Sequence, residues 1–395
     1  MRGARMRAGP TVAVGGSRVA CQSRPAGADG TSKQEGNANM KNIRRVVLGF
    51  GAAALAAIVA PTGAAQADAV ADFYKGRTLT ILLGHPPGGS YDLYAQLAAL
   101  HLGQYIPGKP NVIVEHRPGG GGGLAAAYLF SKAPTDGSVI ALLPETLAAT
   151  QLMDPTRGRW DMRKVNYIGS FSDSNSAYGV RKGAAATTIE AMKTTTVNVG
   201  CTGRTSASAQ TPMIARNLAG LKFNMICGYR GSGPYMLALA RGEVDMIVMN
   251  WATWYAKLAD QLKAGEYKLV AQTGLERNED IPDVPLIQEV VGDEKVDAVF
   301  RFMAGGDPIG RALFGAPGVQ QDRIAALRTA FDKMVKDPAF VADAKKRQAL
   351  LRPKPGAKLD QYAAEVLRTP KEVVELAKQG MSGYQANCPD CGKKK

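Results

Sequence analysis

From residue 78 onward, short apolar runs alternate with segments of helical spacing, and this alternation narrows the fold more than any other feature. Thr78–Leu83 (TLTILL), Asn111–Glu115 (NVIVE) and Ser138–Leu143 read as strands. Between them, Tyr91–Tyr105 and Gly123–Ala133 read as helices. The pattern then repeats. Thr196–Gly200, Phe223–Cys227, Asp245–Met249 and Tyr267–Thr273 are predicted strands, with helices over Ile189–Lys193, Ser208–Ala219, Tyr235–Arg241 and Trp254–Ala264. Strands separated by helices imply mainly parallel sheets with helices on their faces, an α/β architecture. Glycine is abundant, 45 of 395 residues, and aromatics are 7%, which suits tight strand-to-helix turns better than a β-sandwich.

Two such repeats imply two lobes. Residues 68–175 form the first part of lobe 1 and 176–280 form lobe 2. Residues 281–378 return to lobe 1 with closing helices over Arg323–Lys336, Pro338–Leu350 and Leu359–Leu367, and 379–395 form a polar tail. The crossings fall near 170–185 and 273–300, and a ligand is expected in the cleft between lobes.

Residues 1–67 read as an extension plus a secretory signal. Lys41, Arg44 and Arg45 precede the apolar stretch Val46–Ala60, and Ala65-Gln66-Ala67 is an A-x-A cleavage site. The stretch is shorter than the roughly 20 residues of a membrane span, and the residue directly after the cleavage site is Asp68, not the cysteine of a lipoprotein anchor. Release into the periplasm after cleavage at Ala67 is the expectation. The formal charge of +15 divides into +7 for residues 1–67 and +8 for the remainder. A basic mature chain favours anionic ligands. Its Lys and Arg are scattered and no nucleic-acid motif appears, so no nucleic-acid partner is expected.

Four cysteines follow the signal, and four allow three pairings. Cys201 and Cys227 end consecutive strands and are a candidate disulfide, provided their Cα atoms approach within about 7 Å. Cys388-Pro-Asp-Cys391 sits in the polar tail. It reads as a local disulfide, a redox pair or half a zinc site, but a zinc site needs about four ligands and the histidines lie at 85, 101 and 116. No metal site is expected.

Catalytic signatures are missing: there is no G-x-S-x-G, H-E-x-x-H or P-loop. Gly120, Gly122 and Ala125 match a relaxed dinucleotide fingerprint, but a run of five glycines nearly forces that match. No cofactor and no enzymatic activity are expected. What recurs is a glycine- and hydroxyl-rich turn between strand and helix: Gly84–Asp92 (GHPPGGSYD), Gly200–Ser208 (GCTGRTSAS) and Gly228–Pro234 (GYRGSGP). Such turns aim backbone N–H groups and the positive helix end at one point, which suits carboxylate or phosphate.

These turns carry a family resemblance from about Phe73 to Lys378. The segments YKGRTLTILLGHPPGGSYDLYAQLAALHL, NVIVEHRPGGGGGLAAAYLFSKAPTDGSVIALL, VNVGCTG with GYRGSGPYMLALARGEVDMIV, and FGAPGVQQDRIAALRTAFDKMVKDPAF occur in order. Together the chain resembles the Bug-type extracytoplasmic solute receptors of tripartite tricarboxylate transporters. The resemblance implies a two-lobe Venus-flytrap of the periplasmic-binding-protein type. It implies a monomeric receptor that captures a small di- or tricarboxylate or related organic acid. The acid would pass to the transporter's membrane components, or report to a sensor kinase; a periplasmic enzyme using His85 or the tail cysteines is the remaining alternative. Carried over by motif, the ligand set is Pro87, Gly88, Gly89, Ser90 and Asp92 in one lobe, with Asp92 organising its loop. In the other lobe it is Thr202, Gly203, Ser206, Tyr229, Arg230 and Gly231, with Asp245 supporting a strand. Arg230 stands where the family has Lys and would be the main charge on the ligand. His85 replaces an apolar or small residue of the family pattern. Trp251 and Trp254 either line the cleft or pack under the hinge.

Overall fold

The computed structural model describes residues 69–156 and 159–387. The signal segment with its cleavage after Ala67, and the Cys388/Cys391 pair, lie outside the described residues. Along the chain, helix α1 (residues 69–74) leads into β1 (Thr78–Leu83), α2 (Ser90–His101), β2 (Asn111–His116), α3 (Gly123–Ser131), β3 (Val139–Leu142), α4 (Leu147–Met153) and β4 (Asn166–Ser170). After a crossing come β5 (Ser176–Arg181), β6 (Val197–Cys201), α5 (Ala207–Leu218), β7 (Phe223–Cys227), α6 (Ser232–Ala240), β8 (Met246–Asn250), α7 (Trp251–Lys263) and β9 (Tyr267–Gln272). The return carries α8 (Ile287–Val291), α9 (Glu294–Ala304), β10 (Ala312–Gly315), α10 (Gln321–Met334) and α11 (Pro338–Lys346). It closes with β11 (Lys354–Pro355), α12 (Gly356–Leu367) and α13 (Lys371–Gly380).

Two sheets result, one per lobe. The first has strand order β11-β4-β10-β3-β1-β2 and the second β7-β6-β8-β5-β9. Strands β1, β2 and β3 pair in parallel, as do β6, β7 and β8. The antiparallel members are β10 and β11 in the first sheet and β5 in the second. Strand β10 slots between β3 and β4, so the first sheet is completed only when the chain has returned from the second.

The strand TLTILL is buried on both faces, as a strand covered by helices must be. Leu79, Ile81 and Leu83 pack with Tyr94 and Leu97 of α2, whereas Leu82 joins Ala125, Ala126 and Leu129 of α3. Each fully buried side chain of this size contributes about 1.5–3 kcal/mol. Helix α13 lies against α5 and α9, with Gly380 facing Ile214 and Leu218. Residues 371–387 therefore associate with the second lobe. Tyr384 Oη donates to the carbonyl of Thr202 at 3.0 Å, and the Asn387 side chain pairs with the backbone of Met225 and Cys227. Among the described residues no helix is long and apolar enough to cross a membrane.

Candidate functional site

Strand-to-helix turns in an α/β lobe place helix N-termini at the carboxyl ends of the strands. Here four of them open on one cleft. The lining includes Ser90 and Tyr91 at the start of α2, Ser206 to Ser208 at the start of α5, Gly231 and Ser232 at the start of α6, and Asn250 and Thr253 at the start of α7. Each N-terminus carries roughly half a positive charge and first-turn N–H groups without intrahelical partners. With the lobes as they stand, the cleft encloses about 60 Å³. A water needs roughly 10–15 Å³ of such space, so there is room for about four water-sized groups.

The first-lobe wall holds a buried ionic cluster. Arg311 precedes β10 and its side chain is 3% exposed; it pairs with Glu145 at 3.0 Å, itself 5% exposed. Its guanidinium also donates to Ser90 Oγ at 2.9 Å and Ser174 Oγ at 2.8 Å. Ser174 Oγ donates to Glu145 and accepts from Asn250 Nδ2 of the second lobe. The Tyr91 ring contacts Arg311, 3.9 Å from its centroid, and stacks on His85 at 4.1 Å. Desolvation, reinforced by the Glu145 carboxylate, raises the Tyr91 hydroxyl well above its usual pKa, so it stays a donor to Glu145. Desolvation and then the Arg311 charge lower His85 to about 3, so the ring is neutral at any physiological pH. His85 keeps some surface open to the cleft, but its Nδ1 is enclosed and has no hydrogen-bond partner among the described residues.

The second-lobe wall is neutral, built from Thr202, Ser206, Ser208 and Ser232. Thr202 N–H donates to Ser208 Oγ at 3.1 Å, and Ser206 Oγ caps α5 by accepting from Ser208 N–H. Cys201 and Cys227 lie opposite each other in the β6–β7 register and form a disulfide, with Cα atoms 4.4 Å apart. The bond sits immediately before the Thr202 and Gly228 turns and fixes their spacing.

The lobes touch through their glycine turns. A Cβ on Gly203 would lie 2.1 Å from the backbone nitrogen of Gly121, and one on Gly231 would lie 2.3 Å from Cγ of Pro86. Thr205 N–H donates to the carbonyl of Gly120 at 3.3 Å, and Ser90 N–H donates to Thr253 Oγ1 at 3.2 Å. These contacts define a closed arrangement in which backbone meets backbone across the cleft.

Of the residues the motifs point to, Ser90, Thr202, Ser206 and Gly231 line the cleft. Pro87 and Gly88 are exposed, Gly89 faces Ser232, and Gly203 faces the Gly120–Gly121 backbone. Asp92 accepts from Gly88 N–H at 3.0 Å and sits 3.3 Å from His116 Nε2, holding the loop in shape. Tyr229 is buried beside Tyr235, and the next residue in the turn, Arg230, points outward and is exposed. Asp245 ties Arg181 to the Asn198 N–H at a strand start. Trp254 is fully buried, donating to the Ala177 carbonyl, and Trp251 donates to Asp280; neither lines the cleft. Arg311, Glu145 and Ser174 were not singled out from sequence. The available signal was a lone arginine between Gly310 and the apolar run ALFG. No cluster of metal-ligating side chains occurs among the described residues.

The profile of the tripartite tricarboxylate transporter family receptor matches residues 96–376. A protein of Cupriavidus necator, described as the UPF0065 protein in the gbd 5' region, is 27% identical over 333 residues, 82% of this chain and 95% of its own. The structure of the periplasmic binding protein BugD superposes with a TM-score of 0.61 at 18% identity, covering 78% of this chain and 98% of its own. MatC of Rhodopseudomonas palustris, with bound malate, gives a TM-score of 0.60 at 19% identity over 75% of this chain and 99% of its own. The two-lobe periplasmic-binding-protein fold is therefore the fold of this chain.

Proposed function

The chain belongs to the tripartite tricarboxylate transporter receptor family, and from that premise we propose that it is an exported periplasmic receptor. It captures a small carboxylate between its lobes and presents it to the membrane components of a transporter of that type. The observation that carries the reading is the convergence of four helix N-termini on one hydroxyl-lined cleft. Oriented N–H groups and helix dipoles bind an anion without needing a free cation. MatC, which has this fold, holds malate, a carboxylate.

The proposed contacts are Ser90, Thr202, Ser206 and the Gly231 turn, with Arg311 ordering Ser90 from behind. The receptor acts as a monomer, and export follows from the signal over Met40–Ala67 with cleavage after Ala67. Turnover is not part of this reading. His85 is stacked and neutral, and Glu145 is committed to Arg311, so no base is left poised beside a nucleophile.

Mass spectrometry of small molecules released from gently purified protein tests this. The expected result is a carboxylic acid, unaltered, at up to one per chain. A neutral solute in its place would overturn the anion reading, and conversion of the released acid to another compound would make the chain an enzyme.

A further inference from the structure

Building on the carboxylate reading, we propose that Tyr384 is a positioning residue for the second-lobe wall: from the C-terminal segment it holds the Thr202 turn in the orientation that receives the ligand. Residues 380–387 lie beyond the stretch the family profile matches, which ends at 376. They are tied along the second lobe at both ends. Asn217 Nδ2, near the end of α5, donates to the carbonyls of Gly380 at 2.8 Å and Ser382 at 3.0 Å. Asn387 accepts from Cys227 N–H at 2.9 Å and donates to the Met225 carbonyl at 3.1 Å, both on the edge strand β7. Between these anchors the Tyr384 hydroxyl donates to the Thr202 carbonyl at 3.0 Å. Arg204, in the same turn as Thr202, reaches back to the Met381 carbonyl at 3.5 Å and stands 5.8 Å from the centre of the Tyr384 ring.

The ring and the hydroxyl of Tyr384 do separate things. The ring packs against the core, and the hydroxyl reaches the turn. The Thr202 carbonyl also accepts from Gly228 N–H at 3.3 Å, so it joins the two second-lobe turns. Because a peptide unit is planar, holding that carbonyl fixes the rotation of the Thr202–Gly203 peptide. The hydroxyls of the wall hang from the same residue. Thr202 N–H and Oγ1 both bond to Ser208 Oγ, at 3.1 and 2.8 Å, and Ser208 Oγ bonds to Ser206 Oγ at 2.9 Å. Thr202, Ser206 and Ser208 all line the cleft. The disulfide fixes how far apart the turns stand, and Tyr384 fixes how the first of them is rotated. Burial raises the phenol above its usual pKa against the opposing charge of Arg204, so the hydroxyl stays a donor at any physiological pH. A turn already held in its binding orientation spares the ligand the free energy of ordering it.

Calorimetric titration with the best-binding carboxylate of a mono- and dicarboxylate panel tests this in Tyr384→Phe, which keeps the packed ring and loses only the hydroxyl. Affinity should fall about three- to tenfold, the range that one lost hydrogen bond corresponds to. Asn217→Ala releases the same segment at its far end and should leave affinity within about twofold. Hydrogen exchange in the ligand-free protein gives a second readout. The amides of Thr202 and Ser206, which bond to Ser208 and to Gly203, should exchange at least about threefold faster in Tyr384→Phe and at the wild-type rate in Asn217→Ala. Wild-type affinity in Tyr384→Phe overturns the proposal while leaving the carboxylate reading standing. So does an equal loss in Asn217→Ala, which would make the segment a brace for the lobe as a whole. If no carboxylate binds the wild type, the carboxylate reading fails on its own. Exchange then decides the positioning role: faster exchange in Tyr384→Phe supports it, and unchanged exchange overturns it.

Discussion

The two walls of the cleft solve the same problem by different chemistry. The first-lobe wall concentrates buried ionic groups, with Arg311, Glu145 and Ser174 joined to Ser90 and roofed by the Tyr91–His85 stack. The second-lobe wall has hydroxyls and helix N-termini with no buried ion pair, and its rigidity comes from a disulfide under its turns. The ionic wall is built where the chain crosses between lobes, from residues that meet only after the return strand is in place. The neutral wall is local, made by consecutive strand–turn–helix units. One wall is therefore vulnerable to loss of a charge and the other to loss of a covalent tie.

The largest effect should come from the ionic wall. Glu145→Gln leaves the buried guanidinium of Arg311 without its counter-ion, and breaking a buried pair in this way costs about 3–5 kcal/mol. Urea unfolding should show the midpoint falling accordingly. A change below about 1 kcal/mol would mean water reaches Arg311. On the other wall, the double variant Cys201→Ala with Cys227→Ala opens a link spanning 26 residues and should lose about 2–4 kcal/mol. Equal melting of oxidised and reduced wild-type protein would remove the disulfide from the account.

Where the walls meet, Gly203→Ala puts a methyl 2.1 Å from the Gly121 nitrogen, a distance no real Cβ tolerates. The lobes fold as before but close poorly, so ligand affinity should drop by about tenfold or more with little change in melting temperature. Unchanged affinity would show that the glycine contact is not part of the bound state. The smallest effect belongs to Arg230. It is exposed and outside the lining, so Arg230→Ala should alter stability by less than about 0.5 kcal/mol and affinity by less than about threefold. A loss of a decade or more would return to it the charge role that its place in the motif suggests.

Much of the architecture was legible because strands such as TLTILL and DMIVM are buried on both faces and read as apolar runs. Strands β4, β5, β10 and β11 escaped, and two of them, β4 (NYIGS) and β5 (SAYGVR), have glycine where a large ring packs. A Cβ on Gly169 would lie 2.2 Å from Phe331, and one on Gly179 would lie 2.2 Å from Trp254. Glycine lowers strand propensity, yet here it makes room for the ring. The turns were legible for a related reason: their glycines and hydroxyls mark a helix start whatever lies across from it. What those glycines face was not legible, since Gly203 serves contact between lobes and Gly231 serves both that contact and the cleft. Arg311 was hidden by distance. Its partner Glu145 is 166 residues away, and a basic residue beside Gly310 reads as surface charge until β10 inserts between β3 and β4. Arg230 is the opposite case: its place in the motif reads as a ligand charge, while the turn buries Tyr229 and leaves the next side chain exposed.

The central claim is that the four converging helix N-termini select an anion. Calorimetric titration of the wild-type chain with its best carboxylate and with the primary amide of that acid tests it most directly, because the pair differs in charge at nearly constant shape. Charge-assisted hydrogen bonds contribute about 1.5–3 kcal/mol each. The account therefore predicts that the amide binds at least about tenfold more weakly. Equal affinity for acid and amide would contradict it.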